Sequence, residues 1–109
     1  MKAITTGRRI VYVCHPYAGD PARNIEAVRQ ICRGLFEEGL LPIGPHIYLP
    51  QFVDDNTERE EALSICTQLV ELCHEIRVYG EQVTSGMFRE IDHAAQVGVP
   101  VRWMIAEAA

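Results

Sequence analysis

Few side chains in this chain are placed to do chemistry, and the foremost is Glu90. It follows about one turn after Ser85 and Gly86, where a helix opens, downstream of a short apolar strand that stops at Gly80. The unpaired N–H groups of a first helical turn, together with the positive end of the dipole, favour an ionised carboxylate nearby. An ionised, partly sheltered carboxylate is a potential nucleophile. A solvated helix glutamate is the alternative reading. His15 can hydrogen-bond a ligand or protonate a leaving group near neutral pH, or simply pack at a strand end. Tyr17 suits stacking on a ring better than acid catalysis. His46 can shape a pocket wall or be a satisfied structural histidine, and His93 belongs to the surface or a subunit interface. Glu81, Asp54 and Asp55 are candidates for a second acid by loop position alone. Arg23 and Arg89 lie nearest the two relevant helix starts, where they either bind phosphate or face water.

Metal chemistry is not expected. The histidines His15, His46, His74 and His93 never pair at ligand spacing with one another or with a cysteine, and Cys14, Cys32, Cys66 and Cys73 form no Cys-x-x-Cys pair. Three of the cysteines fall on apolar faces, which reads as buried thiols in a reducing cytoplasm. No cofactor is expected either.

The elements that must position these residues alternate in type. Arg9 to Cys14 is an unbroken run of β-formers, as in a parallel strand covered on both faces. A turn-rich loop, His15 to Pro21, leads through an Asp20 N-cap and a Pro21 first residue into a helix reaching about Glu38. Ile25, Val28, Ile31, Cys32, Leu35 and Phe36 form its buried stripe, and Gly39 its stop. Leu40 to Gly44 is a second strand, at an edge because Pro42 cannot donate to a ladder. Pro45 to Asn56 is a long loop without clear period, and such loops are commonly functional or folded on themselves. Thr57-Glu58-Arg59-Glu60 matches a capping box and opens a helix to about His74, with Ala62, Ile65, Cys66, Leu69, Val70, Leu72 and Cys73 on its buried face. Glu75 to Tyr79 is strand three, Ser85 to Val97 the last helix, and Val99 to Ile105 strand four. Residues 1–8 read as a flexible leader without a signal core, 9–109 as one domain, and Glu107 to Ala109 as a fraying tail.

Size and charge narrow the function. A chain of 109 residues builds one core. Its net charge of −5 argues against a duplex-binding module, which needs a basic face, although backbone N–H groups can hold one small phosphate. No apolar run approaches the ~20 residues that cross a membrane. Strands alternating with helices give an α/β domain of three layers, a flavodoxin- or Rossmann-like parallel sheet of about four strands with helices on both faces. A first crossover one way and a second returning across strand one give the order 2-1-3-4, with the switch point between strands one and three. That order brings the His15-Pro16-Tyr17 loop, the Gly80 to Glu90 segment and Pro45-His46 together at one end of the sheet.

The residues Tyr12-Val13-Cys14-His15-Pro16-Tyr17, Asn24 near the first helix start, and Ser85-Gly86-Met87-Phe88-Arg89-Glu90-Ile91-Asp92-His93-Ala94 resemble the nucleoside 2-deoxyribosyltransferase-like superfamily. Gly44-Pro45-His46, Gln51-Phe52-Val53-Asp54-Asp55 and Glu58-Arg59 resemble more closely a poorly characterised bacterial and phage branch of it, a domain of unknown function. The resemblance covers nearly the whole chain from Arg9. It implies an N-glycosyl-bond hydrolase or transferase acting on a nucleoside or nucleoside monophosphate, usually a homodimer or larger homo-oligomer. By that comparison Glu90 attacks C1′, releasing the base and leaving a sugar ester. His15, Pro16, Tyr17, Asn24, His46, Thr84, Ser85, Gly86 and Met87 contact the substrate, and Thr84 to Gly86 lie near a phosphate.

Two departures stand out. His74 occupies a place where the superfamily commonly has aspartate, at the end of the sheet away from Glu90. No evident general acid accompanies Glu90, because Asp92 is two positions on, about 200° around the helix. A nucleotide-binding module with the same fold and no chemistry is the alternative. A purely structural role follows if Ile47 to Val53 blocks the pocket.

Overall fold

The computed structural model describes residues 7–104. The first six residues of the expected leader, Ile105 of the expected fourth strand and the expected tail lie outside the described residues. Four parallel strands, β1 (Ile10–Cys14), β2 (Leu41–Ile43), β3 (Glu75–Val78) and β4 (Val101–Trp103), form one sheet in the order β2-β1-β3-β4. Helix α1 (Pro21–Glu37) covers one face, while α3 (Arg59–Glu71) and α4 (Ser85–Val97) pack together on the other. The strand order and the three layers match the expectation. No described helix is long and apolar enough to cross a membrane.

Alternation along β1 divides the core. Tyr12 and Cys14 face α3 and α4 with Ile76, Val78, Val70, Met87 and Ala94, while Val11 and Val13 face α1 with Val28 and Leu35. Pro42 sits in an edge strand as its missing N–H requires, paired only with β1. The apolar stripes hold in their centres and fail at two positions. Phe36 is half exposed and lies beneath the guanidinium groups of Arg8 and Arg33, at 5.8 and 5.1 Å from its ring centroid. Leu72 is exposed as well, because it stands two residues beyond buried Val70 and points about 200° away.

The long loop is more ordered than its composition implies. Pro45–Tyr48 forms a short helix, α2, which runs into a single 3-10 turn at Leu49–Gln51. Ile47 joins the α1 core and Leu49 the α3/α4 core, so this segment wraps the carboxyl end of the sheet from one layer to the other. Gly44 makes the wrap feasible, since a Cβ there would stand 2.8 Å from Val28 Cγ1 and 3.0 Å from Cys32 Sγ.

The expected capping box at Thr57 is absent. Glu58 is the N-cap of α3 without a side-chain cap bond, because its carboxylate instead accepts the Asp54 N–H at 2.9 Å. A reciprocal cap does occur on α4, where Thr84 Oγ1 accepts from Met87 N and Met87 Sδ accepts from Thr84 N. Gly98, left-handed at φ +80°, ends that helix.

Candidate active site

Strand order puts the carboxyl ends of β1 and β3 side by side, with their following loops leaving in different directions. The two loops touch at Gly80, where φ is +98° and any Cβ would stand 2.8 Å from Pro16 Cδ, so the position has room for glycine alone. Between these loops, the α2 wrap and the first turns of α3 and α4 lies a cavity of about 150 Å³. That is the scale of a single six-membered ring. The Leu49–Val53 segment forms one wall and leaves the cavity open, so it does not block it.

Eight of the ten residues read as catalytic or substrate-binding meet there: His15, Tyr17, His46, Thr84, Ser85, Gly86, Met87 and Glu90 all line the cavity. Pro16 and Asn24 do not line it. Pro16 packs on Gly80, and the Asn24 side chain donates to the carbonyls of Tyr17 and Ala18 at 3.0 and 3.3 Å, which fixes the loop that presents Tyr17. His46 Nε2–H donates to the His15 carbonyl at 2.6 Å, and its ring meets Tyr17 edge-on at 5.1 Å between centroids. Burial lowers the His46 pKa against the pull of that carbonyl, so the ring is held neutral.

Glu90 is only 5% exposed. It is the sixth residue of α4, beyond the reach of the first-turn N–H groups, and its side chain points under the helix toward the sheet. The expectation of a dipole-stabilised, readily ionised carboxylate is therefore corrected: burial pushes the Glu90 pKa up to about 7. Cys14, Tyr12 and Cys66 oppose that rise by turning polar hydrogens toward the carboxyl. The Tyr12 hydroxyl is fully buried and has no partner at full hydrogen-bond geometry among the described residues. Burial, together with the nearby Glu90 charge, pushes the Cys66 thiol up to about 12 and the Cys14 thiol higher still, so both stay protonated.

Several lining residues are not marked as site residues by sequence. Arg59, Ala62, Leu63 and Cys66 come from the start of α3, and Leu49, Pro50 and Val53 from the wrap. Ala62 and Cys66 stand on the apolar stripe read as core, and both also line the cavity. Asp55 lines the cavity at its rim, paired with Arg59 at 3.4 Å, whereas Asp54 and Glu81 do not reach it. Arg89 is engaged by Glu60 at 3.0 Å, and His93 by Glu71 at 2.7 Å, both away from the cavity. His74 accepts the Ile10 N–H through Nδ1 at 2.9 Å at the opposite end of the sheet, a structural use of that position. Among the described residues no cluster of three or more His, Cys, Asp or Glu is placed to hold a metal ion.

A doubly wound parallel sheet with a buried carboxylate in the crevice at its switch point defines the class of protein. A family model matches residues 9–104, and the chain belongs to that family, whose description is a domain of unknown function, DUF7768. Among solved structures, a 2-deoxyribosyltransferase from the psychrotolerant bacterium Bacillus psychrosaccharolyticus is similar, with a TM-score of 0.71 and 14% sequence identity, over 92% of this chain and 76% of that one. At that identity the likeness is one of fold. No curated protein sequence matches the chain.

Proposed function

We propose that this protein cleaves the N-glycosyl bond of a nucleoside or nucleoside monophosphate, by hydrolysis or by transfer of the sugar, with Glu90 as the nucleophile. The observation that carries the reading is the placement of Glu90: a buried carboxylate on the wall of a ring-sized cavity at the switch point of the sheet. In the reaction a Glu90 oxygen bonds to C1′ as the C1′–N bond breaks, and its electron pair leaves with the base, which takes up a proton. Water or a second base then displaces the carboxylate from C1′. A pKa near 7 leaves the group substantially ionised at neutral pH and a moderate leaving group from the sugar. The α4 start lines the cavity, and there the backbone N–H groups of Ser85 and Gly86, which the Thr84–Met87 cap leaves unused, suit a hydroxyl or phosphate of the substrate. His15 and Tyr17 line the same cavity; Tyr17 suits contact with the base, and His15 is the candidate proton donor. The proposal includes a cytoplasmic homo-oligomer.

A non-catalytic nucleotide-binding module is the second reading, favoured by the company Glu90 keeps. Among the described residues its immediate polar neighbours are two protonated thiols and a phenol, with no second carboxylate. Incubation of the purified protein with deoxyribonucleosides, ribonucleosides and their monophosphates separates the two. Base release that vanishes in Glu90→Ala supports the enzyme. Equal release by both proteins removes Glu90 from the chemistry, and an intact nucleotide carried through purification favours binding alone.

A further inference from the structure

The cavity beside Glu90 is too small for a whole nucleoside, and one of its walls is shared. Tyr17, Pro50, Val53 and Asp55 also line a second hollow of about 560 Å³, completed by Pro21, Phe52, Asp54, Asn56 and Glu58. Resting on the glycosyl-cleavage reading, C1′ must reach Glu90, so the pentose fills the inner cavity. The substituents on the sugar must then leave it in different directions. One way runs along the α4 start, where Arg59 Nη2 stands 3.7 Å from the place of a Gly86 Cβ. The other runs past Tyr17 into the outer hollow. A 5′-phosphate does not suit the outer hollow, whose ionisable lining consists of Tyr17 and the three carboxylates Asp54, Asp55 and Glu58, with no basic side chain. The base, a neutral ring, does suit it.

We infer that the outer hollow is the base subsite and that Asp55, at the seam of the two cavities, selects bases bearing an exocyclic amine. Asp54 and Glu58 are committed to the turn itself, Asp54 Oδ1 accepting from Asn56 N at 2.8 Å and Glu58 Oε1 from Asp54 N at 2.9 Å. Asp55 alone of the three borders both cavities, and its side-chain bond, Oδ2 to Arg59 Nη1, is long at 3.4 Å. Its other oxygen accepts no bond among the described residues. A carboxylate oxygen accepts one hydrogen of an exocyclic amine, and with its partner oxygen the paired N–H groups of guanine. It repels the carbonyl oxygens that flank the imide N–H of uracil and thymine. Specificity of this kind comes from a polar group that a wrong partner leaves opposed or unpaired.

The test uses matched pairs that differ by the amine: deoxycytidine against deoxyuridine, and deoxyguanosine against deoxyinosine. Affinities are measured by calorimetry in Glu90→Gln, which holds substrate without turnover, and kcat/KM in the protein with Glu90 intact. The amine-bearing member of each pair is favoured at least about tenfold, the worth of one hydrogen bond to a charged group. Asp55→Asn, which offers an N–H as well as an oxygen, brings each ratio to within about threefold of unity. Arg59→Gln breaks the same ion pair without changing the acceptor and leaves the ratios in place. Equal handling within each pair, or a preference that Asp55→Asn leaves untouched, overturns the assignment while base release persists. If no nucleoside binds or is cleaved, the glycosyl reading itself falls and takes this inference with it.

Discussion

Among the described residues two glutamates are buried against the sheet, one at each end, and they solve the same electrostatic problem in opposite ways. Glu75, 7% exposed at the amino end of β3, is held between Arg9 at 2.9 Å and Arg77. Burial alone would raise its pKa, but the two guanidinium groups bring it below the ordinary carboxylate range. Glu90, 5% exposed at the carboxyl end, has thiols and a phenol for neighbours, and burial leaves its pKa at about 7. Similar surface exposure therefore goes with a charged structural group in one place and a proton-exchanging group in the other. Depth and partner together decide which, Glu90 lying deeper in the protein and without a cation beside it. Under the proposed function, that contrast favours the crevice over the Glu75 cluster as the reactive end of the molecule.

The largest expected break in the comparison is chemical. Glu90→Gln removes the proposed nucleophile from a site whose shape it preserves, and base release falls at least about 10³-fold, as for other single catalytic groups. Glu75→Gln leaves that rate unchanged to within about twofold, measured on the same substrate. A comparable loss from both would show that the two ends are not functionally separate.

The next effect is on stability and reverses the order. Glu75→Ala strands the Arg77 guanidinium, 8% exposed, without its carboxylate, and costs about 3 kcal/mol in urea denaturation. Replacing both at once, Glu75→Leu with Arg77→Met, recovers most of that loss, since an apolar pair of similar volume needs no hydration. A double variant no more stable than Glu75→Ala would show that the ion pair contributes beyond mutual neutralisation.

The two glutamates also impose opposite slopes on stability against pH. Glu90 has a folded pKa of about 7 against an ordinary 4.5, so the native state binds the extra proton between these values. Its contribution is fully present below pH 4.5 and is lost as pH rises to 7, on the order of 3 kcal/mol in all. Glu75 has a lowered folded pKa, so its contribution is present above the ordinary carboxylate value and fades as pH falls through the folded one. Denaturation midpoints from about pH 2 to 8 carry both limbs. Glu90→Gln removes the decline toward neutral pH and leaves the acid limb, and a decline that persists in this variant would place its origin elsewhere.

How much of this is legible in the sequence follows from what pattern encodes. Unbroken apolar runs and 3.6-residue stripes mark every strand and the three long helices, and connection order then sets the sheet. The edges are less legible. Phe36 and Leu72 count as core by spacing, although one is shielded by arginine cations and the other lies off the stripe. Thr57 to Glu60 has the letters of a capping box, but Glu58 turns back to Asp54, a competition that spacing does not record. For the site, loop convergence is readable and depth is not. A glutamate on a helix looks alike whether it meets water or the sheet, and only packing puts Glu90 beneath α4 beside Tyr12 and Cys66. The contribution of α3 is hidden because Ala62 and Cys66 belong to an ordinary apolar stripe.

A smaller effect concerns the way α4 is anchored. Thr84 Oγ1 accepts the Met87 N–H at 3.3 Å, and loss of this cap in Thr84→Ala costs about 1 kcal/mol, while Thr84→Ser is close to neutral. Because Thr84 also lines the cavity, the two variants separate anchoring from substrate contact: Ser restores both, and a nucleoside affinity lost in both requires the methyl group.

The smallest expected change is the most specific. Tyr12→Phe removes a buried hydroxyl that has no partner at full hydrogen-bond geometry among the described residues, so it leaves stability within about 0.5 kcal/mol, unlike the loss of a satisfied buried bond. Yet that hydroxyl is one of the groups favouring the Glu90 carboxylate, and its removal shifts the Glu90 midpoint upward from about 7. Carboxyl-carbon NMR titration reads the shift directly, with Glu90→Gln identifying the resonance. Nothing comparable occurs at Glu75, where the charges of two arginines outweigh any single neutral donor. A midpoint that stays fixed would mean that the Tyr12 hydroxyl does not act on Glu90, and a loss above ~1 kcal/mol that the hydroxyl makes a satisfied bond in the folded protein.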